Sequence, residues 1–239
     1  MSGSHMEHFW DARAREDALY FVDSRLDYGA PDEEAFWRGG EEALDRLLAS
    51  VGATLAADAT VVDIGCGVGR LTRPLAARAA KVLAIDVSQE MLDRARALNP
   101  HLDNVEWLHG DGRSLQPIAD ASVDACVSHV VFRHIPDPEI TLGYVSEIGR
   151  VLRPGGAGVI EFSNDPAPHR PGRSRLRDRV AAAVGRAPKG GEDVAWLGSA
   201  LDLDDLRRTA AAAGLAVEQL AGEGTEFCAA RLLRSHGER

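Results

Sequence analysis

Between Val61 and Met91 the chain brings together residue types suited to holding a polar, nucleoside-like ligand. The apolar run Val61-Val62-Asp63-Ile64 leads into Gly65-Cys66-Gly67-Val68-Gly69 and then into the helix-forming stretch Arg70 to Ala76. Glycines at a strand-to-helix turn let a ligand approach the backbone and leave amide N–H groups to meet polar or negative atoms. Seventeen residues after Gly69 the next strand ends in Asp86, whose carboxylate can accept hydrogen bonds from both hydroxyls of a ribose. A dinucleotide loop GxGxxG would need glycine where this chain has Arg70, so the spacing argues against NAD. His129 and His134 follow the fourth apolar run, where parallel-sheet proteins place ligands, and imidazole is the side chain that titrates near neutral pH.

Such groups need a scaffold. Val61 to Ile64, Val82 to Ile85, Val105 to Leu108, Val123 to Val127 and Gly158 to Phe162 are short apolar runs separated by helical stretches. Strands buried on both faces and alternating with helices mean an α/β fold with a parallel sheet. Ile140, Tyr144, Val145, Ile148 and Leu152 recur at helical spacing, and Pro154-Gly155-Gly156 is expected to stop that helix. Residues 164–195 break the rhythm with Pro166, Pro168, Pro171 and Pro188, as an insertion would. Leu203 to Ala213 predicts another helix, with Asp202 as N-cap and Gly214 as its stop, before a final strand pair at Leu215 to Leu220 and Thr225 to Leu233. Residues 6–54, rich in aromatics and ending in the amphipathic run Glu41 to Leu48, predict two or three helices forming a lid or flank. Met1 to His5 reads as a cleavage scar ahead of a natural start at Met6, leaving 55–239 as the main domain.

A net charge of -10 and a pI near 5.3 disfavour a nucleic-acid partner. No stretch approaches the ~18 uncharged apolar residues of a membrane span, and with no secretory pattern the expected location is cytoplasmic. Cys66, Cys126 and Cys228 are widely spaced, which suggests buried thiols rather than disulfides or a zinc site; no metal cluster is expected. Twenty-five Arg against two Lys, with abundant Ala, reads as a high-GC bacterial composition.

Asp63-Ile64-Gly65-Cys66-Gly67-Val68-Gly69 resembles motif I of class I S-adenosylmethionine (SAM) dependent methyltransferases, of the small-molecule type. Ile85 to Met91 resembles that family's acidic second-strand segment, His109-Gly110-Asp111-Gly112 its third-strand end, and Glu147 to Gly156 its E-I-x-R-V-L-x-P-G-G signature. The resemblance is strong over residues 55–163 and weak over 196–234. It implies a Rossmann-like, seven-stranded, mostly parallel sheet with a reversed last strand, helices on both faces and an N-terminal helical lid. It also implies SAM as cofactor and S-adenosylhomocysteine (SAH) as product. Gly65, Cys66 and Gly67 would then lie along the methionine part and Asp63 would support the loop. Asp86 would hold the ribose, Val87 and Met91 would flank the adenine, Asp111 and Gly112 would read its edge, and Ser128 would face the methionine chain. Val87 and Met91 serve equally as core, and a turn is the alternative for Asp111-Gly112.

Methyl transfer needs alignment and water exclusion first, and a base only where the nucleophile carries a proton. His134 sits at the family's commonly histidine position and His129 is the second candidate, with a structural role in the turn open for His134. Trp37 and Arg38 are candidates to shelter the sulfonium and bind the cofactor's carboxylate, with core packing the alternative for Trp37; Tyr20, Tyr28 and His169 are further candidates. Arg170, Arg173, Arg175, Arg177, Arg179, Arg186 and Lys189 against Asp178 form either a positive lid for an anionic substrate or a solvated loop. The expected function is O- or N-methylation of a small molecule, in specialised metabolism. A non-methylating SAM-fold enzyme and a non-catalytic SAM-binding protein are the rivals, and the oligomeric state is left open between monomer and homodimer.

Overall fold

The computed structural model describes residues 3–170, 191 and 193–236. Seven strands form one sheet: β1 (Thr60–Ile64), β2 (Lys81–Asp86), β3 (Val105–His109), β4 (Val123–Ser128), β5 (Leu152–Phe162), β6 (Leu215–Ala221) and β7 (Cys228–Arg234). Their order is β3-β2-β1-β4-β5-β7-β6. The first five run parallel, and β7 lies antiparallel between β5 and β6, as the expected reversed strand. Alternation along each strand feeds two cores: Val62, Cys126 and Ile160 face one side, while Val61, Val127 and Val159 face the other. Fully burying an aliphatic side chain of this kind contributes roughly 1.5–3 kcal/mol.

The crossover helices are α3 (Thr72–Ala76), α4 (Gln89–Leu98), α5 (Pro138–Val151) and α7 (Leu203–Ala212). Local chemistry starts them where the sequence indicates: Asp137 caps α5 ahead of Pro138, and Asp202 caps α7 through the amides of Asp204 and Asp205. Pro154-Gly155-Gly156 does not stop α5. The helix ends at Val151, and the motif lies within the outer part of β5, where a Cβ on Gly156 would come within 2.8 Å of the Asp124 carbonyl oxygen of the neighbouring strand.

Two helices precede the sheet, α1 (Gly3–Val22) and α2 (Glu33–Ser50). Residues 3–5 continue α1, and His5 Nε2 lies 3.1 Å from Asp193 Oδ1. Asp17 interrupts α1 with an extended backbone, and its Oδ1 accepts from the Tyr20 amide at 3.1 Å, restarting the helix as an N-cap does. Asp11 of α1 accepts from the Ser88 hydroxyl at 2.6 Å, which fastens α1 across the start of α4. After β5 a short helix α6 (Val194–Leu197) packs Ala195 and Trp196 against Met6, Phe9 and Trp10 of α1. Among the described residues all three cysteines are free and buried, no His/Cys/Asp/Glu group can hold a metal, and no helix is long and apolar enough to cross a membrane.

Candidate active site

The carboxyl ends of β1, β2 and β4 floor a cavity that α1 roofs with Met6, Trp10, Phe21 and Val22. On the floor, Gly65 and Gly67 stand at φ +72° and +53°, a left-handed backbone that glycine adopts freely. A Cβ on Gly65 would lie 2.4 Å from Val131 Cγ2, and one on Gly67 2.9 Å from Val22 Cγ2, so any larger residue closes the cradle. Asp86 lies beneath it: Oδ2 accepts from the Gly67 amide and Oδ1 from the Ser88 amide, each at 2.8 Å. Burial nevertheless holds its carboxyl above the ordinary value. Val87, Met91 and Gly112 complete an apolar slot beside it. A paired carboxylate at the mouth of a glycine cradle, next to a flat apolar slot, fits a ribose and its base.

Asp63 supports this floor from below. It is 2% exposed and accepts from the Thr72 hydroxyl at 2.6 Å. Burial, opposed by Thr72 and aided by Asp86, pushes its carboxyl up to about 7. Because the folded-state value is raised, the native chain binds the proton more tightly than the unfolded chain between about pH 4 and 7, so this group lowers stability as pH rises through that window. Asp63→Asn, which retains an acceptor for Thr72, is expected to flatten the fall in Tm between pH 4 and 7, measured by thermal melts of both proteins. An unchanged slope would show that Asp63 is ionised in the native chain.

His129 and His134 both line the cavity. His134 follows Phe132 and Arg133 in a single 3-10 turn, and its Nδ1 donates to the Trp196 carbonyl at 2.8 Å, which leaves Nε2 as the acceptor nitrogen. Its ring also lies against Trp10 and Trp196, at 5.7 and 5.1 Å between centroids. Burial and the nearby Arg133 guanidinium bring its basicity down to about 4, so the imidazole is neutral at physiological pH.

Other sequence candidates stand elsewhere. Trp37 packs on Phe36 and under the Arg73 guanidinium, and Arg38 points away from the cavity to Glu34 at 3.1 Å, because Phe36 is the residue α2 turns inward. Asp111 does not face the slot: Oδ1 accepts from the Arg113 and Ser114 amides and Oδ2 from the Ser114 hydroxyl, so its carboxylate closes its own turn. The Ser128 hydroxyl donates to the Ile64 carbonyl at 3.1 Å, tying β4 to β1, and Cys66 is a buried thiol behind the loop. Tyr28 donates to Glu16 at 2.6 Å, Tyr20 stacks between Phe21 and Tyr28, and His169 Nδ1 meets the Leu197 carbonyl. Arg170 is exposed; the rest of the basic run, Arg173 to Lys189, lies outside the described residues. Sequence reasoning missed Trp10, Phe21 and Trp196, whose signal was only an aromatic-rich helix and a distant tryptophan.

Residues 62–160 match the family model described as a methyltransferase domain. The chain is 35% identical over 130 residues to demethylmenaquinone methyltransferase of Clavibacter sepedonicus, covering 54% of this chain and 51% of that protein. It is 37% identical over 139 residues to trans-aconitate 2-methyltransferase of Azoarcus sp. strain BH72, covering 54% and 52%. The match thus spans about half the length of these curated relatives. Among solved structures, magnesium protoporphyrin IX methyltransferase from Synechocystis PCC 6803 with bound SAH superposes with a TM-score of 0.62 at 18% identity, over 97% of this chain and 99% of that one, a likeness of fold. Fold, motif order and the family match converge: residues 62–160 match a methyltransferase domain, set in a sheet of the order expected for a class I SAM-dependent methyltransferase.

Proposed function

We propose that the chain transfers a methyl group from SAM to an oxygen or nitrogen of a small molecule, as a cytoplasmic enzyme of specialised metabolism. The observation that carries this reading is the glycine cradle with Asp86 at its mouth, walled on the acceptor side by two imidazoles, His129 and His134. When bound, SAM supplies an activated methyl group on a sulfonium. Gly65 and Gly67 would take its amino-acid end against the backbone, Asp86 its ribose hydroxyls, and Val87, Met91 and Gly112 its base. The residues of α1 cover the cavity from above, and alignment of the reacting groups is worth up to roughly 7–11 kcal/mol. His129 and His134 stand ready as neutral acceptors for a proton leaving the nucleophile. Relatives named for menaquinone and trans-aconitate chemistry support a small-molecule acceptor.

Incubation with SAM and a panel of small hydroxylated and amino compounds tests the reading. SAH release matched mole for mole by methylated product is the expected result. Acceptor conversion with SAM left intact would assign a non-methylating reaction, and tight SAM binding with no conversion across the panel would favour a binding protein.

A further inference from the structure

Behind His129 the cavity opens into a second chamber of about 500 Å³. The two spaces share Phe21, Val22, His129, Val130 and His134. Strand register sets one wall: Ser128 of β4 pairs with Ile160 of β5, so the next residues, His129 and Glu161, emerge side by side from parallel strands. His129 Nε2 lies 3.8 Å from Glu161 Oε1. Among the described residues Oε1 is buried without a hydrogen-bond partner, although the Val130 amide donates to the same carboxylate. Val130 stands at φ +62°, a strained conformation for a β-branched residue and one that recurs where side chains must be aimed at a site. A buried carboxylate oxygen left unpaired is costly, and beside an imidazole it suits a proton that arrives only during reaction.

The chamber is lined by Arg25, Arg46, Arg70 and Arg133 against the two carboxylates of Asp23 and Glu161. Asp23 serves Arg25 at 2.7 Å and Arg70 at 2.8 Å together, and Glu226 matches Arg133 at 2.7 Å. Among the described residues Arg46 meets Glu42, at 3.5 Å with both side chains more than half exposed, a pair of little weight. At His129 itself Arg70, Arg25 and Arg46 outweigh Asp23, and burial followed by this local surplus of positive charge lowers its basicity to about 4. An anion held in the chamber would offset that surplus and restore the imidazole as a base.

Resting on the methyl-transfer reading, we propose that this chamber receives an acceptor bearing a carboxylate or phosphate, with Arg46 and Arg70 facing its anionic group and His129, backed by Glu161, taking the proton of its nucleophile. In that step the acceptor's O–H or N–H bond breaks and its electron pair stays on the atom that gains the methyl group. The proton passes to Nε2 of His129, and the imidazolium then faces Glu161.

Titration of the full chain loaded with SAH, using benzoate, phenyl phosphate and uncharged benzamide, tests the chamber. At least one anion should bind about tenfold or more tightly than benzamide, the tighter of the two separating carboxylate from phosphate. Arg46→Gln should weaken that anion about fivefold or more at unchanged SAH affinity. In ring-proton NMR, the anion should raise the His129 midpoint by about one pH unit, and Glu161→Gln, which keeps an acceptor for the Val130 amide, should lower the anion-bound midpoint. Both anions binding no more tightly than benzamide, no probe binding by a chain that binds SAH, or a midpoint indifferent to anion and to Glu161→Gln would each overturn the proposal. A chain that fails to bind SAH would instead remove the methyl-transfer reading beneath it.

Discussion

Asp86→Ala is expected to weaken SAH binding about 100-fold or more. On the proposed assignment its carboxylate accepts from two ribose hydroxyls, and hydrogen bonds to a charged group contribute about 1.5–3 kcal/mol each, so losing both removes about 3 kcal/mol or more. The same substitution strips the Gly67 and Ser88 amides of their acceptor, which loosens the cradle and the start of α4. Asp111→Ala should cost far less, about tenfold at most, because Asp111, unlike Asp86, does not line the cavity and closes its own turn. Calorimetric titration of both variants, alongside melts that establish folding, separates the two. SAH affinity within about threefold of the parent for Asp86→Ala would remove the ribose assignment.

Gly198→Ala should produce the largest loss of local structure. Gly198 ends α6 at φ +63° and ψ -151°, a region open essentially to glycine, and a Cβ there would lie 1.7 Å from the Arg133 carbonyl oxygen. Neither the strain nor the clash with backbone can be relieved by a side-chain rotation, so α6 must leave its seat. With it go the Trp196 carbonyl that orients His134 and the indole that packs on Trp10. A cost of about 3 kcal/mol corresponds to a fall in Tm of roughly 6–12 °C for a domain of this size, limited by how readily α6 undocks alone. Thermal melts and Trp fluorescence check it; a variant within about 1 °C and spectrally unchanged would contradict this seating.

Those two positions show what the sequence exposed and what it hid. Asp63, Gly65, Gly67 and Asp86 were legible because they lie within one strand-loop-helix-strand unit, where spacing along the chain is spacing in space. The sheet was legible for the same reason, since both-face burial writes continuous apolar runs. Arg38 and Trp37 were misplaced because the neighbouring Phe36 takes the inward position on α2, a rotation of one residue that composition does not reveal. Glu161 lies inside the run Gly158 to Phe162 with no local signal of its own. Its place beside His129, 32 positions earlier in the chain, depends on the pairing of Ser128 with Ile160, which no local pattern encodes. Asp111 carried the family's pattern but also a turn's, and its carboxylate closes that turn.

If the glycine cradle with Asp86 at its mouth is a SAM site, the purified chain binds SAH and not NAD. Titration calorimetry with each ligand in turn tests this most directly. Saturable SAH binding with a micromolar Kd and no heat with NAD is the expected result. A folded sample that ignores SAH, or that binds NAD in its place, would contradict it.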